Sequence, residues 1–296
     1  MTRHVGIDLA WGTTARTGVA VLDEGGRLVH SSSVVTDAQI DDLLAEHVGT
    51  APVVAAIDAP LVVPNATGMR EAERLVTRHF GRFSAGAYPA NRANPHFDPP
   101  RAECLAHRHG WATDPGVRPD DATSVAVEVY PHPAMVMLFG LDRVLPYKAR
   151  RGRDVASRTA AWQLLLDHLD RVAGTLLGLP SNPRWAEIRH ATATARRPVD
   201  LDRLEDEVDA IVCAYLAWLW HHEPERMVVL GTAADGYIVV PGLPDPHEAR
   251  SRPTTPRRDP DAARRRAVDA VLAEMPMLTP EAAQRLVAIV SGELLA

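Results

Sequence analysis

Lysine is almost absent from this chain: of its 32 basic residues, only Lys148 is a lysine, and the other 31 are arginines. With abundant alanine and proline, that bias reads as a GC-rich coding background. Arginine counts therefore carry little functional weight, and the single lysine carries somewhat more. Cysteine is scarce too. Cys104 and Cys213 cannot build a disulfide framework and lack the spacing of a metal knuckle, so a reducing cytoplasm is the expected setting. No apolar run approaches the roughly 18–20 residues that span a bilayer, so no membrane partner is expected. The opening Met1-Thr2-Arg3-His4 leads into a short apolar stretch that already contains Asp8, which does not read as a signal peptide. A basic excess is also missing. Lys and Arg number 32 against 38 Asp and Glu, a net charge of −6, which excludes a coat protein that binds nucleic acid by bulk charge. A nuclease that binds locally is still allowed.

What is present is a globular composition, 46% hydrophobic and 24% charged over 296 residues. Short apolar runs at 4–10, 17–22 and 27–35, the last two joined by Asp23-Glu24-Gly25-Gly26, predict an antiparallel three-stranded meander. Asp37 can cap a helix over 38–48 that buries Ile40, Leu43, Leu44 and Val48. Residues 52–58 are continuously apolar, as in a strand covered on both faces. The order so far is β-β-β-α-β. A helix over 69–80 follows. Next comes a long insertion over 81–123, rich in Gly, Pro, Asn and Asp, with one helix near 100–109. A strand over 124–130, helices over 132–139, 154–177 and 202–222, and strands over 226–231 and 236–240 complete a domain over 1–243. Residues 244–260 read as a linker, and 261–296 as a helical extension.

Two strand ends resemble one another: Gly6-Ile7-Asp8-Leu9-Ala10 and Ala56-Ile57-Asp58-Ala59-Pro60. Each puts a carboxylate in or just past an apolar strand, where an ionised acid needs a metal, a cation or several donors. Val127-Glu128-Val129-Tyr130-Pro131 is a third such case. Carboxylates converging at one end of a sheet suit Mg²⁺ or Mn²⁺. Otherwise each acid caps a loop or pairs with an arginine. A fourth group, Asp202, Glu205, Asp206 and Asp209, lies on the helix over 202–222. The helix dipole accounts for Asp202 and Glu205 in a first turn, but not for Asp209, two turns in beside the apolar face.

A β-β-β-α-β unit with an Asp on its first strand resembles the ribonuclease H-like fold, an α/β architecture whose mixed sheet has three antiparallel strands followed by parallel ones. The finer wording resembles domain-of-unknown-function family 429, whose members are predicted to be RNase H-like nucleases. The matching segments are Gly6-Ile7-Asp8, Ile57-Asp58-Ala59-Pro60, Arg70 through Glu73 and Ala87-Tyr88-Pro89-Ala90-Asn91-Arg92. Further along they are Glu128-Val129-Tyr130-Pro131, Pro146-Tyr147-Lys148 with Gly152-Arg153, Asp209-Ala210 and Gly236-Tyr237-Ile238. They span about residues 4–241, in order, and leave the tail outside. The resemblance implies that Asp8, Asp58, Glu128 and Asp209, with Asp206 as a substitute for Asp209, hold two Mg²⁺ or Mn²⁺ ions that hydrolyse nucleic acid or another phosphodiester. It implies that Lys148, Arg70 and Arg92 are phosphate contacts or counter-charges, with Lys148 also in the catalytic set. On the residues alone, Arg70 can equally pair with Glu71 or Glu73 on its own helix, and Arg92 is a loop arginine.

Other candidates carry less. Cys104, His107 and His109 lack a second pair to complete a zinc site. His221 and His222 end a helix, where imidazoles suit the dipole. His132 is either a partner of Glu128, a general base or a helix-start residue. Trp111, Trp162, Trp185, Trp218 and Trp220 read as core or interface. Two rival functions remain. Gly6-Ile7-Asp8 followed by Gly12-Thr13-Thr14 is similar to the first phosphate loop of actin-like ATPases and sugar kinases, although the chain is short for their paired domains. A non-catalytic binding protein on the same fold is the other.

Overall fold

The structure is a computed structural model that describes residues 1–120 and 122–245. A five-stranded sheet runs in the order β3-β2-β1-β4-β5. Its strands are β1 (Arg3–Asp8), β2 (Thr17–Leu22), β3 (Leu28–Val34), β4 (Val53–Ile57) and β5 (Val125–Glu128). β1, β2 and β3 pair antiparallel, and β4 and β5 extend the sheet in parallel from β1. This is the mixed sheet of the ribonuclease H-like fold. β4 is buried along its whole length, as its unbroken apolar run requires.

The helices are α1 (Asp37–His47), α2 (Glu71–Phe80), α3 (Arg101–Arg108), α4 (Pro131–Phe139), α5 (Val155–Leu177), α6 (Pro183–Thr194) and α7 (Pro198–His222). A hairpin of β6 (Val228–Thr232) and β7 (Gly236–Val240) meets the sheet where Val239 bridges Val129 just past β5. The compact unit carrying all of this ends at Pro244. Beyond Asp245, the expected linker and the helices over 261–296 lie outside the described residues. Among the described residues no helix is long and apolar enough to cross a membrane.

Four local expectations change. α1 is capped by Thr36, not Asp37: the Thr36 hydroxyl accepts from the Gln39 amide while the Gln39 side chain accepts from the Thr36 amide. α7 starts at Pro198, so Asp202 and Glu205 do not lie in its first turn, and the dipole does not explain them. α6 is an additional helix, capped by Asn182. The insertion over 81–123 is tied to the sheet. Arg101 on α3 bonds Asp37 Oδ1 at 2.8 Å and the carbonyls of Ala10 and Gly12, each at 2.8 Å, which fixes the loop after β1.

Close packing of α7 on the sheet sets the position of its acids. Gly6 and Gly18 leave β1 and β2 bare where the helix crosses. A Cβ on Gly6 would lie 2.0 Å from the Ala210 carbonyl, and one on Gly18 would lie 1.8 Å from that of Asp206. Gly6, Asp8 and Gly18 share one face of the sheet, since Asp8 pairs with Gly18 and strand side chains alternate. α7 covers that face, so Asp206 and Asp209 arrive over the end of β1.

Candidate active site

Asp8 closes β1, and Asp58 stands one residue past β4. The β1–β4 register pairs Ile7 with Ile57, and the Asp58 amide donates to the Ile7 carbonyl at 2.8 Å, so the ladder continues by one step. Asp8 and Asp58 are therefore neighbours on adjacent strands, about 4.8 Å apart along the ladder, with side chains on the same face. Both open into a cavity of about 1050 Å³. No hydrogen bond among the described residues offsets their charge. Burial, then the negative charges of Asp209 and Asp58, push the Asp8 carboxyl well above the usual carboxylate range. Asp58 is pushed up to about 7, first by burial; Lys148 pulls it down while Asp209 and Glu128 push it up.

Asp209 is fully buried on α7 and already satisfied. The Tyr147 hydroxyl donates to Asp209 Oδ1 at 2.8 Å, and Lys148 Nζ lies 2.6 Å from Oδ2. Glu205, one turn earlier, brings Oε1 to 3.6 Å from the same ammonium. Burial alone would lower the Lys148 pKa, but Asp209, Tyr147, Asp8 and Glu205 outweigh it and keep the amine protonated. The segment carrying Tyr147 and Lys148 is clamped. Arg158 on α5 donates from Nε to the Tyr147 carbonyl at 2.9 Å and reaches Asp202 on α7 at 2.7 Å, while Arg153 donates to the Lys148 carbonyl at 2.8 Å. Asp206 faces the cavity with Arg16 Nε 3.4 Å away.

Glu128 behaves differently from the other strand acids. β5 pairs Glu128 with Ile57, one residue short of Asp58. With a side-chain period of two, that offset turns Glu128 toward the opposite face of the sheet from Asp58. There Arg70 grips it: NH1 to Oε2 at 2.9 Å and NH2 to Oε1 at 2.5 Å, with the Leu61 amide adding a bond of 2.9 Å. Arg70 Nε meets Glu73 Oε1 at 2.6 Å and is itself only 3% exposed. Arg70 lines the cavity together with Glu73 and Glu128, and of its two expected roles it fills that of counter-charge, to two buried carboxylates. Arg92 donates to the Val63 carbonyl at 2.9 Å, is not among the cavity-lining residues, and lies 3.9 Å from Asp98.

The expected four-acid set is therefore not assembled as free ligands. Glu128 and Asp209 each hold a cationic side chain, and the described carboxylates contain no group of three whose oxygens lie mutually within 4.8 Å. Asp8 and Asp58 do fit one hard divalent cation. They are adjacent, they lack a hydrogen-bond partner, and burial with nearby negative charge makes ionising each of them costly until positive charge arrives.

The rest of the cavity is lined by mixed charges, with Glu73, Glu128, Glu205 and Asp206 among cationic and aromatic groups. Arg16, Arg143, Arg150 and Arg153 line it with Lys148, and Trp11 and Tyr88 stand at its edge, 43% and 66% exposed. His132, the second residue of α4, also lines it; its Nε2 is buried without a partner, and burial followed by Lys148 lowers its pKa to about 4. The sequence pattern alone gives no role to Tyr147, Trp11, Arg16, Arg143 or Arg150. The signal available for Tyr147 was its place beside Lys148.

The family model described as "Protein of unknown function (DUF429)" matches residues 6–234. No curated protein and no solved structure matches.

Proposed function

We propose that this chain, which belongs to the DUF429 family, is a divalent-metal-dependent phosphodiester hydrolase of the nuclease type. The observation that carries the reading is the in-register pair Asp8 and Asp58, unpartnered in a cavity whose mixed-charge lining includes Lys148, several arginines and aromatic side chains. Asp8 and Asp58 would hold Mg²⁺ or Mn²⁺. Such an ion, when bound, supplies Lewis-acid charge and an acidified water.

The chain's own groups supply the rest. Lys148, kept protonated and aimed by Asp209, offers a fixed positive charge to a phosphate oxygen as negative charge builds there. Asp209 serves as its anchor rather than as a metal ligand, and Tyr147 holds the anchor in place. Arg143, Arg150 and Arg153 suit the flanking phosphates, and Trp11 and Tyr88 suit base stacking. Glu128, Arg70 and Glu73, in the lining of the same cavity, brace the chain between β4 and α2. The free thiols Cys104 and Cys213 are compatible with a cytoplasmic setting. The phosphotransferase reading has less support, since the described residues hold one sheet of this order and not a pair.

Labelled single-stranded and duplex oligonucleotides of DNA and RNA, incubated with the protein and Mn²⁺, test the assignment. Strand scission that a chelator stops is the expected result. Nucleoside triphosphate turnover without scission would move the assignment to a phosphotransferase. Absence of both, with no Mn²⁺ bound in calorimetry, would leave a binding protein.

A further inference from the structure

α7 carries a second cluster at its other end. It runs along β1, so that Asp209 meets the end of the strand and His221 and His222 meet its beginning, about 18 Å away at 1.5 Å per residue. There His4, fully buried on the face that carries Gly6 and Asp8, aims its ring at the helix terminus. His4 Nε2 lies 2.9 Å from His221 Nδ1, and one ring nitrogen from each of His4, His221 and His222 lies within 4.8 Å of the others.

We propose that His4, His221 and His222 form a transition-metal site of the imidazole type, suited to Zn²⁺ and its borderline neighbours Co²⁺ and Ni²⁺. A tetrahedral ion with Zn–N bonds near 2.0–2.1 Å spaces its ligand nitrogens about 3.3 Å apart, so small rotations of three rings suffice. The fourth position falls to water on the side where His222 is exposed. The other nitrogen of His4, Nδ1, sits 3.4 Å from the Asp23 carbonyl. A proton on Nδ1 leaves the His4 Nε2 lone pair accepting from His221 Nδ1–H, and an ion between the rings takes the place of that proton, His221 changing tautomer as it binds.

Attraction to the helix dipole accounts for an imidazole at the end of α7, but not for a buried histidine directed at it from a strand. The bound ion would staple β1 to the end of α7, residues 217 apart in sequence. It lies at the opposite end of the helix from the proposed catalytic carboxylates and does not depend on them.

The test uses the full chain, with any affinity tag removed, after dialysis against a chelator. Zn²⁺ is titrated by calorimetry, and Co²⁺ by its visible absorption. One equivalent is expected to bind wild type and to persist in Asp8→Asn. Binding should weaken by at least about 100-fold in the double variant His221→Ala, His222→Ala, the upper end of what outer partners alone cost. The single exposed variant His222→Ala, checked by circular dichroism, provides the same comparison if the double variant does not fold. Equal binding by wild type and the histidine variants, or no equivalent that survives Asp8→Asn, overturns the proposal.

Discussion

Lys148 is fixed by three neighbours: Asp209, Glu205 and the Tyr147 ring. A compact ammonium fits between two carboxylates where a planar guanidinium cannot, so Lys148→Arg keeps the charge and loses the geometry. Its kcat/KM should fall by about 10²–10³-fold with the fold intact; unchanged kcat/KM would remove Lys148 from the catalytic set. Arg70 makes the opposite case. Arg70→Met strands Glu73 and Glu128 in the interior and should cost about 3–5 kcal/mol in a urea melt. A neutral result would mean that the buried network contributes nothing to stability. The contrast marks what was legible residue by residue. Asp8, Asp58 and Asp209 stand out in the sequence because each interrupts an apolar face. Glu128 stands out for the same reason, yet its role depends on a one-residue offset between β4 and β5, and cross-strand register is not written in either strand alone. His4 gave a similar signal, a polar residue opening an apolar strand, but its partners are more than two hundred positions away.

Among the elements, α7 decides the geometry of both clusters, and two glycines decide where α7 lies. Gly6→Ala would drive a methyl into the helix backbone, 2.0 Å from the Ala210 carbonyl and 2.1 Å from the Ala214 amide. Neither neighbour is a flexible side-chain end, so the helix must lift. A loss of about 1–3 kcal/mol or more is expected, with Asp209 and Lys148 displaced and activity reduced beyond what unfolding explains. Wild-type stability with wild-type activity in that variant would refute the close packing. Strand order and most helices were legible because their periodicities are strong. α6 was not, because only Trp185, Ile188 and Thr192 of its residues are buried and its remaining positions are largely polar. The cap of α1 was legible after all, since Thr36 and Gln39 have capping-box spacing, and Asp37 merely stood nearer the expected start.

Across the whole molecule, an acidic chain of net charge −6 gathers Lys148 and several arginines into the cavity that holds its carboxylate floor. Without a metal that floor makes stability depend on pH. Asp58 moves from 3.8 to about 7 on folding, so between those values the folded chain holds a proton that the unfolded chain releases. The stability this proton confers is fully present below about pH 4 and lost as pH rises to 7. His4 and His132, lowered to about 3 and about 4, work the other way, losing stability as pH falls below 6.5. The windows overlap, so a difference removes the histidines and leaves Asp58 together with its effect on Asp8. In chelator, the melting temperature of Asp58→Asn minus that of wild type should grow between pH 4 and 7 and level off above. A flat difference would contradict the buried, unpartnered Asp58.

Asp8 and Asp58 are the carboxylates on which the proposed metal-dependent phosphodiester hydrolysis depends. The most direct measurement is single-turnover cleavage of an end-labelled oligonucleotide in Mn²⁺ by wild type and by Asp8→Asn, with circular dichroism showing both folded. Cleavage by wild type that falls by on the order of 10³-fold in Asp8→Asn is the predicted result. Equal cleavage by both proteins, or no cleavage by wild type under any divalent cation, would contradict it.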